Sequence, residues 1–165
     1  MSTSPEPPPR AVDDQLGQVR SFLATHHRAV LVTRRRDDGL QTSPVAAGVD
    51  SAGRVVISTR SRSAKCRNLR RDPRASLCVV SDSWFGPWLH LDAVTEVIPM
   101  PDALALLEDY YRSIVGEHPD WAEYRRVMVA EDRVLLRLTL RHAAGPAAGP
   151  AVGPAAGPGV GPGAA

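Results

Sequence analysis

Lysine is almost missing from this chain. Among its 165 residues are 20 basic side chains, and Lys65 is the one lysine against nineteen arginines. Such a bias fits a GC-rich genome that writes arginine wherever a generic positive charge will serve. A lysine that persists then marks a place that needs a compact ammonium rather than a planar fork, unless it survived by chance. Cysteine is nearly as rare. Cys66 and Cys78 show no metal-ligand spacing, and two thiols build no disulfide framework. No apolar run reaches the roughly 18 residues that a membrane span requires, and no early stretch reads as a signal peptide. A cytoplasmic protein is the expectation. The sequence also lacks GxSxG, HExxH, Walker and GxGxxG patterns, and no acid–base pair stands out. A bound cofactor carrying the hard chemistry fits that absence.

Charge is missing altogether from the far end. From Ala143 onward the chain is almost only Ala, Gly, Pro and Val, with Gly-Pro recurring every four residues. Collagen requires glycine every third residue, so the repeat is not collagen. It has too little apolar bulk to offset the entropy of ordering. Residues 1–11 and 143–165 are therefore expected to be disordered, around a single foldable domain at 12–142.

Within that domain, Leu16, Val19, Phe22 and Leu23 fall on one face of a helix expected over Asp13–Thr25. Strands are expected at Arg28–Arg35, Leu40–Asp50 and Arg54–Thr59, joined by short turns and so antiparallel. Pro44 inside the second strand calls for an edge, a bulge or an irregular segment. A short helix at Ser63–Arg71 follows, capped by Ser61 or Ser63 and ended by Asp72-Pro73. Strands at Ala75–Val80 and Trp88–Ile98 come next, then helices at Pro101–Val115 and Pro119–Val129. Gly116 suits the stop of the first of these helices. A last strand spans Arg133–Leu140. The order does not alternate as in a doubly wound sheet. A small β-barrel with peripheral helices fits, in the β-rich α+β class.

The overall charge of +2 hides a concentration. Seven basic residues lie between Arg60 and Arg74 against one acid, Asp72, so this window is +6 and the rest of the chain −4. The window spans a strand end and a helix start, where unpaired backbone N–H groups and the helix dipole favour an anion. Ser61 and Ser63 add hydroxyls, and Arg62 and Lys65 add full charge. Together they suit a phosphate. Arg70, Arg71 and Arg74 read equally well as a solvated face. Nucleic-acid binding is disfavoured, because the window holds no aromatic residue for stacking and no known motif.

Other constellations are weaker. His90 alternates with apolar neighbours and reads as a barrel residue. His26-His27 lies at a helix end without a third ligand nearby. Cys66, beside Lys65, is a candidate nucleophile but reads better as a small packing residue. Trp84, Phe85 and Trp88 could line a cofactor pocket, cap the barrel or fill a dimer interface.

The run STRSRSAKCRNLRRDPRASL at 58–77 resembles the pyridoxamine-phosphate-oxidase-like split β-barrel superfamily. Together with YYRSIVGEHPDWAEYRRVMVAEDRVLLRL at 110–138 and SPV at 43–45, it is similar to the branch that uses the deazaflavin coenzyme F420. The resemblance covers residues 16–142. It implies a six-stranded antiparallel split barrel, homodimeric, with a cofactor site at each subunit interface. By position, Ser58 and Thr59 would lie along the cofactor's ring and side chain. Arg62, Ser63, Ala64, Lys65 and Asn68 would surround its phosphate. Ser43, Pro44 and Val45 would approach the ring, and Trp88 would lie near the pocket. Two positions depart from the family pattern. Pro44 stands where a polar residue is usual and has no amide hydrogen to give, and Cys66 replaces a threonine.

The resemblance implies an oxidoreductase transferring a hydride between F420 and a small organic acceptor. FMN in the same fold is the alternative, and a non-catalytic F420 carrier is a third reading. Arg67, Arg70 and Arg71 would suit the acidic tail of F420, whereas FMN ends at its phosphate.

Overall fold

The computed structural model describes residues 9–83 and 85–148. Six strands close into one antiparallel barrel: β1 (Arg28–Arg34), β2 (Leu40–Val49), β3 (Val55–Arg60), β4 (Arg74–Val80), β5 (Trp88–Ile98) and β6 (Arg133–Ala144). Their order around the barrel is β1-β2-β3-β6-β5-β4. Four helices surround it: α1 (Pro9–Leu23), α2 (Ala64–Arg71), α3 (Ala103–Ile114) and α4 (Trp121–Ala130).

Alternation builds the interior. Ala29 and Leu31, Val55 and Ile57, Leu77 and Val79, Leu89 and Leu91, and Val134, Leu136 and Leu138 point inward and form one core. Val19 and Leu23 of α1 join it at helical spacing. Each fully buried leucine or isoleucine contributes roughly 1.5–3 kcal/mol. A second core lies outside the barrel. There Val56, Ile98 and Leu135 meet Ala103, Leu107 and Tyr124 of α3 and α4. β3 and β6 are thus covered on both faces, which explains their unbroken apolar runs.

The barrel is unevenly zipped. β1 and β2 pair over seven residues, from Arg28↔Ala46 to Arg34↔Leu40. β2 and β3 pair over only three, from Ala47↔Ile57 to Val49↔Val55. Residues 40–46 therefore have a neighbour on one side alone, and Pro44, opposite Val30, sits on that free edge. The edge expected from Pro44 is present, without a break in the β1–β2 ladder.

Several boundaries move. α1 begins at Pro9 rather than Asp13, with a proline tolerated in the first turn. The last strand does not stop at Leu140. β6 continues to Ala144 because β5 supplies partners, with Leu91 opposite Ala143 and His90 opposite Ala144. Ala143 is buried, Gly145 turns with φ 109° against the Trp88 ring, and a 3-10 turn follows at Pro146–Ala148. A domain end at 142 thus cuts a strand, and the first Ala-Ala-Gly-Pro unit belongs to the fold. The rest of the expected disordered segments, residues 1–8 and 149–165, lies outside the described residues, as does Trp84. No helix among the described residues is long and apolar enough to cross a membrane.

Candidate functional site

A cleft of about 880 Å³ opens where β2 and β3 part. Pro44, Val45 and Ala46 of β2 and Ser58, Thr59 and Arg60 of β3 form one side. Ser63 and Lys65 close one end, at the start of α2. The opposite wall comes from α3 and α4, through Tyr110, Tyr111, Tyr124, Val127 and Met128.

The polar end is built locally. β3 finishes at Arg60, the chain turns, and Ser63 caps α2 by accepting from the Cys66 amide at 3.3 Å. The Thr59 and Ser63 hydroxyl oxygens are 3.2 Å apart, and the Lys65 ammonium lies 3.5 Å from that of Thr59. Two hydroxyls and one ammonium thus converge beside the open N–H groups of a helix start. Lys65 has no ion-pair partner among the described residues. This donor set suits a phosphate group in charge, hydrogen-bonding capacity and placement.

The other basic residues of the window divide. Arg60 donates to Glu131 at 2.8 Å, and Arg133 shares the same carboxylate at 2.7 Å. Hydrogen bonds from Arg60, then Arg133, hold the Glu131 carboxyl below its ordinary range. Arg74 is tied to Asp72, whose carboxyl it holds at about 2. Arg67 and Arg70 donate to the carbonyls of Arg62 and Ser61, and Arg71 to that of Arg34. Arg67 and Arg70 thus brace the β3–α2 turn, and Arg71 ties the far end of α2 to β1. Their expected alternatives were a solvated face or a tail site, and bracing is a role that composition alone did not reveal.

The sequence-derived residues are not all brought together. Pro44, Val45, Ser58, Thr59, Ser63 and Lys65 line the cleft. Arg62 is exposed beside it and Ala64 opens α2. Ser43 is buried opposite Leu31. Asn68 turns inward instead, buried, and its amide nitrogen donates to Thr33 at 3.1 Å. Trp88 starts β5 beside Val80 and Gly145, and lines no part of this cleft. Cys66 is fully buried in the barrel core, and burial pushes its thiol up, so the packing role holds and the nucleophile does not. The α3–α4 wall was missed. Nothing in the sequence marked Tyr110, Tyr111 or Tyr124 as site residues, and only the closure of the barrel carries them to residues some fifty positions earlier.

The sequence profile of the family described as pyridoxamine 5'-phosphate oxidase matches residues 16–145. The chain belongs to the pyridoxamine 5'-phosphate oxidase family. That family consists of split barrels that bind flavin-type cofactors, and the closed six-stranded barrel agrees with it. Among solved structures, the conserved hypothetical protein Rv2991 of Mycobacterium tuberculosis aligns with TM-score 0.66 and 21% identity, over 86% of this chain and 91% of its own. An F420 reductase aligns with TM-score 0.59 and 17% identity, over 76% and 94%. A heme binding protein from Mycobacterium smegmatis aligns with TM-score 0.62 and 19% identity, over 79% of this chain and 53% of its own. At these identities the likeness concerns the fold.

Proposed function

We propose that this protein is an oxidoreductase that uses coenzyme F420 for hydride transfer to a small organic acceptor. The observation that carries the reading is the convergence of Thr59, Ser63 and Lys65 at the polar end of the cleft. These residues hold the cofactor phosphate, while Pro44, Val45 and Ser58 lie along its ring. When bound, the deazaflavin supplies the hydride. The chain's own residues position the ring and exclude water from one face of it.

The site works at an interface between two copies in this reading. Outward-facing Pro44, Val30, Cys78 and His90 are neighbours across four strands, and Val80 and Trp88 extend the same face. Val30, Val80 and Trp88 are 37%, 40% and 42% exposed, and Phe85 nearby in sequence is 97% exposed. Such a patch suits a second copy, and Pro44 joins it to the cleft.

FMN is the second reading, because Thr59, Ser63 and Lys65 would serve the phosphate of either cofactor. Arg67, Arg70 and Arg71 already spend donors on backbone carbonyls, which weakens their claim to an acidic tail. Fluorescence titration of purified protein with F420 and with FMN decides between them. Micromolar F420 binding with much weaker FMN binding is expected, and the reverse order sinks the F420 reading. Turnover of reduced F420 against an acceptor panel then separates an enzyme from a carrier in the cytoplasm.

A further inference from the structure

The cleft has two unlike halves, and the cofactor reading uses only one. On the α3–α4 side Tyr111, His118, Trp121 and Tyr124 form a continuous aromatic cluster, with ring centroids 5.1–5.9 Å apart. Most of the pairs meet edge to face, the arrangement that aromatic quadrupoles favour. The cluster is held from behind. The Tyr124 hydroxyl donates to the Leu107 carbonyl at 2.8 Å, and the Trp121 indole donates to Glu117 at 3.1 Å. The Arg112 guanidinium lies 4.2 Å from the centre of the Trp121 ring. Val127 and Met128 continue this wall as apolar surface.

Its charge is balanced. Glu123 is the one charged residue that α3 and α4 place on the cleft, and it is ion-paired with Arg126. An anion would meet that carboxylate, and a cation would find it already paired. The tautomer of one lining imidazole is set by a hydrogen bond. His118 Nδ1 accepts from the Asp120 amide at 3.0 Å, so the neutral ring carries its proton on Nε2. His118 lines the cleft and offers that N–H as a donor.

We propose that the α3–α4 wall is a second binding subsite, for a flat, uncharged aromatic carbonyl compound whose oxygen accepts from His118. A mostly apolar wall with a few polar groups, His118 among them, is the usual composition of a small-molecule site. The inference rests on the reading above in one respect, that the Lys65 end is reserved for the cofactor phosphate.

The probe is 9-fluorenone, a neutral planar ketone, titrated into the isotope-labelled full chain while amide NMR shifts are followed. Saturable shifts confined to α3, α4 and the intervening loop are expected. Val127 is 37% exposed, so Val127→Glu places a carboxylate on the wall at a position the helix tolerates. That change is expected to weaken fluorenone binding about tenfold and to leave F420 affinity within about twofold. Absence of saturable shifts, or binding that Val127→Glu leaves unchanged, overturns the subsite. Equal loss of both ligands assigns the wall to the cofactor and overturns it too. Failure of F420 to bind a protein that still takes fluorenone at the wall sinks the cofactor reading and leaves the subsite standing.

Discussion

The hydroxyl of Tyr110 donates to the carbonyl oxygen of Ala46 at 2.9 Å, where the β2–β3 ladder ends. Ala47↔Ile57 is the last pair of that ladder, and Ala46 and Ser58 would form the next. Burial raises the Tyr110 pKa, and the Ser58 backbone amide beside it opposes the rise. A side chain from α3 thus stands in for the missing pair and holds the split open at a fixed width. Tyr110→Phe is expected to cost about 0.5–1.5 kcal/mol, the net worth of one hydrogen bond, read from the urea midpoint. Faster amide exchange in residues 40–46 should accompany it. An unchanged midpoint and unchanged exchange would remove Tyr110 from this role.

Lys65 carries the phosphate proposal. Lys65→Ala is expected to weaken cofactor binding by about 1.5–3 kcal/mol, the range for a hydrogen bond to a charged group. Lys65→Arg restores the charge but not the compact ammonium, so only part of the affinity should return. Fluorescence titration measures both. Unchanged affinity in Lys65→Ala would exclude the residue from the site.

Asp72 reports on the C-terminal end of α2. Side-chain and backbone hydrogen bonds from Arg74 lower its pKa from 3.8 to about 2. A depressed folded-state value means that its contribution to stability is present above pH 4 and is lost as pH falls toward 2. NMR titration of the carboxyl carbon should show a midpoint near 2 in the native chain. In Arg74→Gln it should move back toward 3.8, the unperturbed value. A midpoint unmoved by that change would show that another group controls the carboxylate.

The end of β6 makes a prediction about length. A chain stopped after residue 142 loses Ala143, which is buried, and Gly145, which packs on Trp88. It should melt at a lower temperature than a chain stopped after residue 148, by several degrees for a loss of about 1 kcal/mol. Equal melting temperatures would show that residues 143–148 add nothing to the fold.

Much of this architecture is legible in residue patterns. Trp88–Ile98 was delimited by alternation alone, and Gly116 does end α3, with φ 98°. The gathering of Thr59, Ser63 and Lys65 at one end of the cleft was legible because these residues are nearly contiguous. What failed was direction and distance. Asn68 shares α2 with Lys65, three residues on, yet it turns into the barrel to meet Thr33, because a buried hydroxyl there needs a partner. Ala143 and Ala144 look like low-complexity tail until β5 offers them a ladder. Tyr110, Tyr111 and Tyr124 carry no short-range mark of a cleft wall, since their neighbours arrive only through barrel closure.

The unpaired edge of β2 has a bearing on self-association. A bare strand edge is a template onto which any extended chain can add. An unbroken ladder to β1 accommodates a proline only with its nitrogen on the side that has no neighbour. Pro44 therefore deletes one donor from the middle of that edge and interrupts the hydrogen-bonding repeat an incoming strand would need. The residue that seemed out of place in a strand thus makes the one bare stretch of this closed barrel a poor template for strand addition.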